Sequence, residues 1–138
     1  MSVKRRDIRE AAFLLIYERS FRQDEPLETI FENAREVDEF PFNDEVETLV
    51  RGVDEKQQEI DELISRFSNK RVISRIPKVN LSVLRLAIYE AAYVESVPVN
   101  VAISEAVAIA DMYTFDPDVS FINGVLGSYS KSLSAEQK

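Results

Sequence analysis

Residues 80–95 carry the most continuous apolar pattern in the chain. On a helix turning about 100° per residue, apolar side chains cover nearly the whole circumference of this segment, which holds few strongly polar positions. A helix that is apolar on almost every side is normally surrounded by other elements, and this one is too short and too charged to cross a bilayer. We therefore predict a buried central helix with Asn80 as its N-cap, wrapped by the rest of the chain.

Amphipathic patterns on both sides of this segment predict further helices. Apolar positions recur there at helical spacing, and no stretch of useful length alternates with the period of a strand. The predicted helices cover residues 5–21, 26–37, 43–67, 100–113 and 120–133, with a short helical turn around residues 72–76. Asn43, Asn100 and Ser120 are the expected N-caps of the third, fourth and fifth of these helices. The chain is therefore predicted to be all-α.

Two features inside the predicted helices are unusual for a helix, a polar break and a pair of glycines. Lys56 and Gln57 break the apolar stripe of residues 43–67, which fits either a bend or plain exposure. Gly124 and Gly127 each cost about 0.8–1 kcal/mol relative to alanine inside a helix. We expect these glycines to admit a close neighbour, either another helix backbone or a ligand.

Composition removes most catalytic chemistry. The 138 residues include no cysteine and no histidine, which excludes disulfides, thiolate metal sites and the commonest general base and metal ligand. The carboxylates lie mostly on the polar faces of amphipathic helices and follow no calcium-loop pattern. We predict a binding module with no catalytic residues, cofactor, metal or membrane contact. No apolar run follows the early basic residues, so the cytoplasm is the expected compartment.

Charge is strongly segregated along the chain, although the net charge is −8. Residues 1–22 hold six basic and three acidic side chains, whereas residues 24–62 hold three basic and fifteen acidic ones. Residues 66–85 hold six basic side chains and no acidic one. A phosphate chain responds to a local patch within a Debye length of about 8–10 Å at moderate salt. The acidic total therefore does not exclude a nucleic-acid partner. We assign no function to the acidic segment.

The first predicted helix has a basic face that also carries aromatic rings. Arg5, Arg6, Arg9, Phe13 and Tyr17 fall together on the side opposite its apolar core positions. Cations at a helix N-terminus oppose the macrodipole, so this placement needs an explanation other than helix stability. Guanidinium groups that meet phosphates, beside rings that stack on bases, are typical of single-stranded nucleic-acid binding. The alternative is a solvated helix end with both rings half-buried against a neighbour.

Three blocks of sequence, taken together, resemble the NusB family of transcription antitermination factors. The blocks are KRRDIREAAFLLIY at residues 4–17, VLRLAIYEAAYVESVPVNVAISEAVAIA at residues 83–110, and FINGVL at residues 121–126. Each is an apolar helix of modest specificity, but their order and spacing are distinctive. The resemblance implies one compact domain over residues 1–138, with about seven helices in two small bundles and a frayed tail at residues 134–138.

The resemblance also implies a function. Members of the family bind boxA-type single-stranded RNA as a heterodimer with NusE, a small-subunit ribosomal protein, and support ribosomal RNA synthesis in the RNA polymerase antitermination complex. With Phe13 of the basic face added, the implied RNA-binding residues are Lys4, Arg5, Arg6, Arg9, Phe13, Tyr17, Asp118, Phe121 and Asn123. The implied NusE-facing residues are Tyr17, Lys78 and Asn80.

Two other functions remain open at this point. One is a stand-alone relative of the RNA-binding domain found in some ribosomal RNA cytosine methyltransferases. The other is a helical scaffold that forms a homodimer and never touches RNA. RNA binding measured with and without NusE separates the three possibilities.

Overall fold

The chain is all-α, as its sequence pattern predicts. A computed structural model describes residues 4–136, and within that range the chain forms seven α-helices, one short 3-10 turn and no strand. The helices are α1 (Arg5–Ser20), α2 (Leu27–Glu36), α3 (Asp44–Glu55), α4 (Gln57–Phe67), α5 (Lys78–Tyr93), α6 (Val99–Tyr113) and α7 (Asp116–Glu136), and the 3-10 turn is Ile73–Arg75.

Helix α5 is the buried centre of the molecule. Every side chain from Leu81 to Ile88 is buried, and α5 packs against α1, α3, α4, α6 and α7. Helices α1 to α3 group on one side of it, and α4, α6 and α7 group on the other. Buried apolar side chains from all seven helices form one connected core. The prediction of a buried central helix is confirmed.

Three helix starts differ from the prediction. Helices α5 and α6 follow Pro77 and Pro98, which stand at the N-cap positions; proline suits a helix start because it lacks an amide donor and has a restricted φ. Asn80 and Asn100 therefore lie within the first turns instead of capping them. Helix α7 already begins at Asp116, so Ser120 lies inside it.

The N-cap of α3 agrees with the prediction, and the chain breaks where the apolar stripe of residues 43–67 is interrupted. The Asn43 side chain accepts a 2.9 Å hydrogen bond from the amide of Val46, so it caps α3 as predicted. The single long helix predicted over residues 43–67 is wrong, because it is divided at Lys56 into α3 and α4. The break lets α3 pack on α1 and α5 while α4 packs on α5 and α7. The interruption at Lys56 and Gln57 is thus more than plain exposure.

The glycine that admits a close neighbour is Gly52, which the sequence pattern did not single out. A Cβ at Gly52 would stand 2.1 Å from the hydroxyl oxygen of Tyr89 on α5. A Cβ at Gly124 or Gly127 would meet nothing within 4 Å. The expectation of a helix backbone beside those two glycines is therefore wrong, and a ligand beside them stays a prediction.

The ends of the chain are described only in part. Helix α7 continues to Glu136, so residues 134–136 of the expected frayed tail are helical; residues 1–3 and 137–138 lie outside the described range. None of the helices formed by residues 4–136 has the length and apolar character needed to span a bilayer.

Candidate nucleic-acid interface

The arginines at the start of α1 each meet a carboxylate from a distant part of the chain. These contacts counter the cost of placing cations at a helix N-terminus, because the acids neutralise the charge. The pairs are Arg5 with Glu45 of α3, Arg6 with Glu105 of α6, and Arg9 with Glu90 of α5. The basic face of α1 is therefore charge-neutralised within the fold, and only Lys4 just before the helix has no carboxylate partner among the described residues.

Arg9 and Glu90 form a buried ion pair. Arg9 is 9% exposed and Glu90 is 4% exposed, and Nε of Arg9 lies 3.0 Å from both carboxylate oxygens. Burial raises the pKa of Glu90, although the charge and hydrogen bond of Arg9 act in the opposite direction. The pair lies in the wall of a cavity of about 590 Å³ between α1, α3 and the end of α5. Arg9 is thus buried, whereas Arg5 and Arg6 are exposed.

Phe13 is not available to stack on a base. Its side chain is 1% exposed, and the ring of Tyr113 from α6 covers it at a centroid distance of 5.0 Å. The RNA contact expected for Phe13 is therefore corrected, because its position on α1 faces α6 instead of solvent. Tyr17 is half-buried, as the alternative interpretation of this face expected.

Tyr17 belongs to an aromatic strip that ends at the surface. Its ring lies 6.3 Å from that of Phe13 and 5.0 Å from that of Phe21. Phe21 is 59% exposed, and Nζ of Lys78 lies 5.4 Å from its ring centroid. The fold thus brings two predicted NusE-facing residues, Tyr17 and Lys78, into contact with Phe21. Sequence reasoning missed Phe21, although its position four residues after Tyr17 places both on one side of a helix.

Asn80 connects α5 to the predicted RNA-facing turn of α7. Its side-chain amide donates a 3.0 Å hydrogen bond to the carboxylate of Asp118. Asn80 is 2% exposed, so the direct partner contact expected for it is corrected. Asp118 is half-buried in the first turn of α7, where a carboxylate is favourable for the helix dipole. Asn80 therefore lies beneath the surface and holds the half-buried carboxylate of Asp118 in place.

The remaining predicted RNA-binding residues lie on α7. Asn123 is exposed, and Phe121 is half-buried. The guanidinium of Arg71, from the segment between α4 and α5, lies 4.7 Å from the centroid of the Phe121 ring. Sequence reasoning noticed the basic charge of this segment but did not place it against Phe121. Phe115 is the most exposed large apolar side chain in the described range and was also missed.

The NusB family model matches residues 6–131 of the chain. The transcription antitermination protein NusB of Acetivibrio thermocellus is 43% identical over 129 residues, which cover 92% of this chain and 88% of the relative. That of Clostridium acetobutylicum is 35% identical over 132 residues, which cover 94% and 97%. Sequence similarity thus extends over nearly the whole length of both proteins.

Solved structures agree with the sequence relatives. NusB of T. maritima has a TM-score of 0.82 at 36% identity, with 95% of this chain and 93% of that chain covered. A chain in the crystal structure of antitermination factors NusB and NusE in complex with dsRNA has a TM-score of 0.80 at 26% identity, with 93% and 96% covered. The resemblance noted from three sequence blocks is therefore confirmed, and the chain belongs to the NusB family.

Proposed function

We propose that this chain is a transcription antitermination factor that binds boxA-type single-stranded RNA together with NusE. We propose further that it works in the cytoplasm, in the RNA polymerase antitermination complex that transcribes ribosomal RNA. Its membership of the NusB family supports this function, as does its likeness to a chain in a complex of NusB, NusE and dsRNA. The net charge of −8 favours weak RNA binding by the free chain and tighter binding once a basic partner adds its own cations.

The observation that carries the proposal is the pair of contacts at the start of α5. Lys78 lies over the exposed ring of Phe21, and Asn80, two residues later, holds Asp118 at the start of α7. One turn of helix thus connects the aromatic surface proposed for NusE with the turn of α7 proposed for RNA. A partner seated on Phe21 and Lys78 is well placed to stabilise that turn in its RNA-binding conformation.

The test measures RNA affinity while NusE is titrated, with a boxA oligonucleotide and a scrambled one. Binding of the boxA strand is expected to tighten as NusE is added. Phe21→Ser is expected to weaken NusE binding while circular dichroism stays unchanged. Val37→Ser is the matched control, because Val37 is 57% exposed at the end of α2. RNA binding with equal affinity at every NusE concentration would contradict the proposal and favour the stand-alone RNA-binding domain, whereas no RNA binding at any NusE concentration would favour the homodimeric scaffold.

A further inference from the structure

The cations that are free to meet a phosphate are concentrated in one place, residues 66–78, which we call the basic connector. Among the described residues, seven Lys and Arg side chains have no carboxylate oxygen within 4.0 Å. Two of them, Lys4 and Lys131, lie elsewhere. The other five are Arg66, Lys70, Arg71, Arg75 and Lys78, all of them exposed.

This distribution favours the basic connector over the start of α1 as the place where phosphates bind. An RNA phosphate that approaches Arg5 or Arg6 competes with the carboxylate already bound there and meets its repulsion. A phosphate at the basic connector displaces no acid, and residues 66–78 contain none. Net phosphate binding is therefore expected to be stronger at the connector than at the start of α1.

The backbone that carries Arg71 is held in place by its own turn. Ser65 Oγ donates a hydrogen bond to the carbonyl of Arg71, and the amide of Arg71 donates to the carbonyl of Ser68. Asn69 and Lys70 both have φ of 59°, in the left-handed region, and this reverses the chain after α4. Side chains on a fixed turn lose less conformational freedom on binding than side chains on a mobile loop.

Two guanidinium–aromatic contacts align the connector with α7. Arg71 lies over Phe121, and Arg66 lies 5.8 Å from the ring centroid of Phe67, which packs edge-on against Tyr129 of α7. Positions 121 and 129 are about 12 Å apart along a helix. Gly124, between them in sequence, is exposed and leaves open space beside the helix. This surface offers cations beside a ring and a guanidinium plane, both of which stack on unpaired bases.

We propose that the basic connector, with Arg71 stacked on Phe121, is the main phosphate-binding surface of this chain for single-stranded RNA. The inference rests on the proposed function and deepens it. It assigns phosphate contacts to Arg66, Lys70 and Arg71 and base stacking to the Arg71–Phe121 pair. The arginines of α1 take a secondary part.

The test compares two variants that each lose three positive charges. One carries Arg66→Gln, Lys70→Gln and Arg71→Gln; the other carries Lys4→Gln, Arg5→Gln and Arg6→Gln. Arg9 is left intact in both because it is buried. A third variant with Arg22→Gln, Arg35→Gln and Lys56→Gln controls for net charge, since each of these cations is paired with a carboxylate. Affinity for the boxA strand is measured with saturating NusE over a range of salt concentrations.

The salt dependence decides the outcome. Each lost phosphate contact on a single strand lowers the log–log slope by about 0.7. The connector variant is therefore expected to lose about 2 units of slope and to bind on the order of 10- to 100-fold more weakly at 0.1 M salt. The variant at the start of α1 is expected to lose less than half as much slope as the connector variant. The charge-control variant is expected to keep nearly the wild-type slope. Arg71→Lys is expected to keep the slope and lose affinity, because the charge remains and the planar stack does not.

A connector variant with wild-type slope, or an α1 variant that loses as much slope or more, would overturn the inference and leave the proposed function standing. A wild-type chain that binds no RNA at any NusE concentration would refute the proposed function itself, and the inference with it. Circular dichroism checks that each variant folds. The single changes Lys70→Gln and Arg71→Gln repeat the comparison at exposed positions if a triple variant is unstable.

Discussion

The side-chain amide of Asn80 lies 3.0 Å from the carboxylate of Asp118 and ties the first turn of α5 to the first turn of α7. Because Asn80 is buried, no water takes its place readily when it is removed. Asn80→Ala is expected to cost about 1–3 kcal/mol of unfolding free energy, since a hydrogen bond to a charged group is lost. Urea unfolding measures the loss. Asn123→Ala is the control at an exposed position of α7, and an equal effect there would contradict the prediction.

The Arg9–Glu90 pair predicts a large difference between two arginines of one helix. Arg9→Ala leaves a buried carboxylate without its cation and is expected to cost about 3–5 kcal/mol. Arg5→Ala removes an exposed pair and is expected to cost less than about 1 kcal/mol. Thermal or urea unfolding of the two variants gives the comparison. Similar losses for both would show that Arg9 is not held in the interior as described.

The raised pKa of Glu90 predicts a defined pH dependence. Burial is its main cause; Arg9 lowers the pKa of Glu90, and Glu105 raises it. The folded chain therefore holds this proton more tightly than the unfolded chain. The resulting stabilisation is complete below the ordinary pKa of 4.5 and is lost as the pH rises through the higher folded-state pKa.

Glu90→Gln provides the reference for this measurement, because the variant lacks the titrating group. The unfolding free energy of the wild type minus that of the variant is expected to fall as the pH rises from about 4 to about 7. Urea unfolding at several pH values gives the difference. A difference that is flat or rises with pH would be inconsistent with a raised pKa.

The contact between Gly52 and Tyr89 predicts opposite effects for two glycine substitutions. Gly52→Ala forces the Tyr89 ring to move and is expected to cost about 1–3 kcal/mol, as overpacking does. Gly124→Ala meets open space and is expected to stabilise by up to about 1 kcal/mol through helix propensity. In a Tyr89→Ala background, Gly52→Ala is expected to lose its cost, which a double-mutant cycle measures. If Gly52→Ala costs as much stability in the Tyr89→Ala background as in the wild type, its added methyl group does not clash with Tyr89.

Helix faces were predictable because they depend on local periodicity. The helical spacing of apolar residues in α1 predicts its buried side, which holds Ile8, Ala11, Ala12 and Leu15. Asn43 caps α3 through a hydrogen bond from Val46, only three residues later in the chain. The starts of α5 and α6 were not predicted correctly, because an asparagine that can cap competes with a preceding proline, and sequence pattern does not rank the two. The division at Lys56 depends on where α3 and α4 find their packing partners.

The candidate site was harder to predict because its charges are paired over long separations. Arg9 and Glu90 are 81 positions apart, and Arg6 and Glu105 are 99 apart. Helical spacing shows that the arginines share a side of α1, but it does not show what covers that side. Phe13 was expected at the RNA surface for the same reason, and it lies beneath Tyr113.

By itself, the sequence determined the all-α class, the buried central helix and the family, because these depend on apolar periodicity and on the order and spacing of sequence blocks along one chain. Only the tertiary structure decided which cations are free, since a cation is neutralised by whichever carboxylate the fold brings within a few ångströms. That is why the arginines of α1, prominent in sequence, are paired. Arg71, which the sequence shows only as one of six cations in a basic segment, lies exposed on the ring of Phe121 with no carboxylate near it among the described residues.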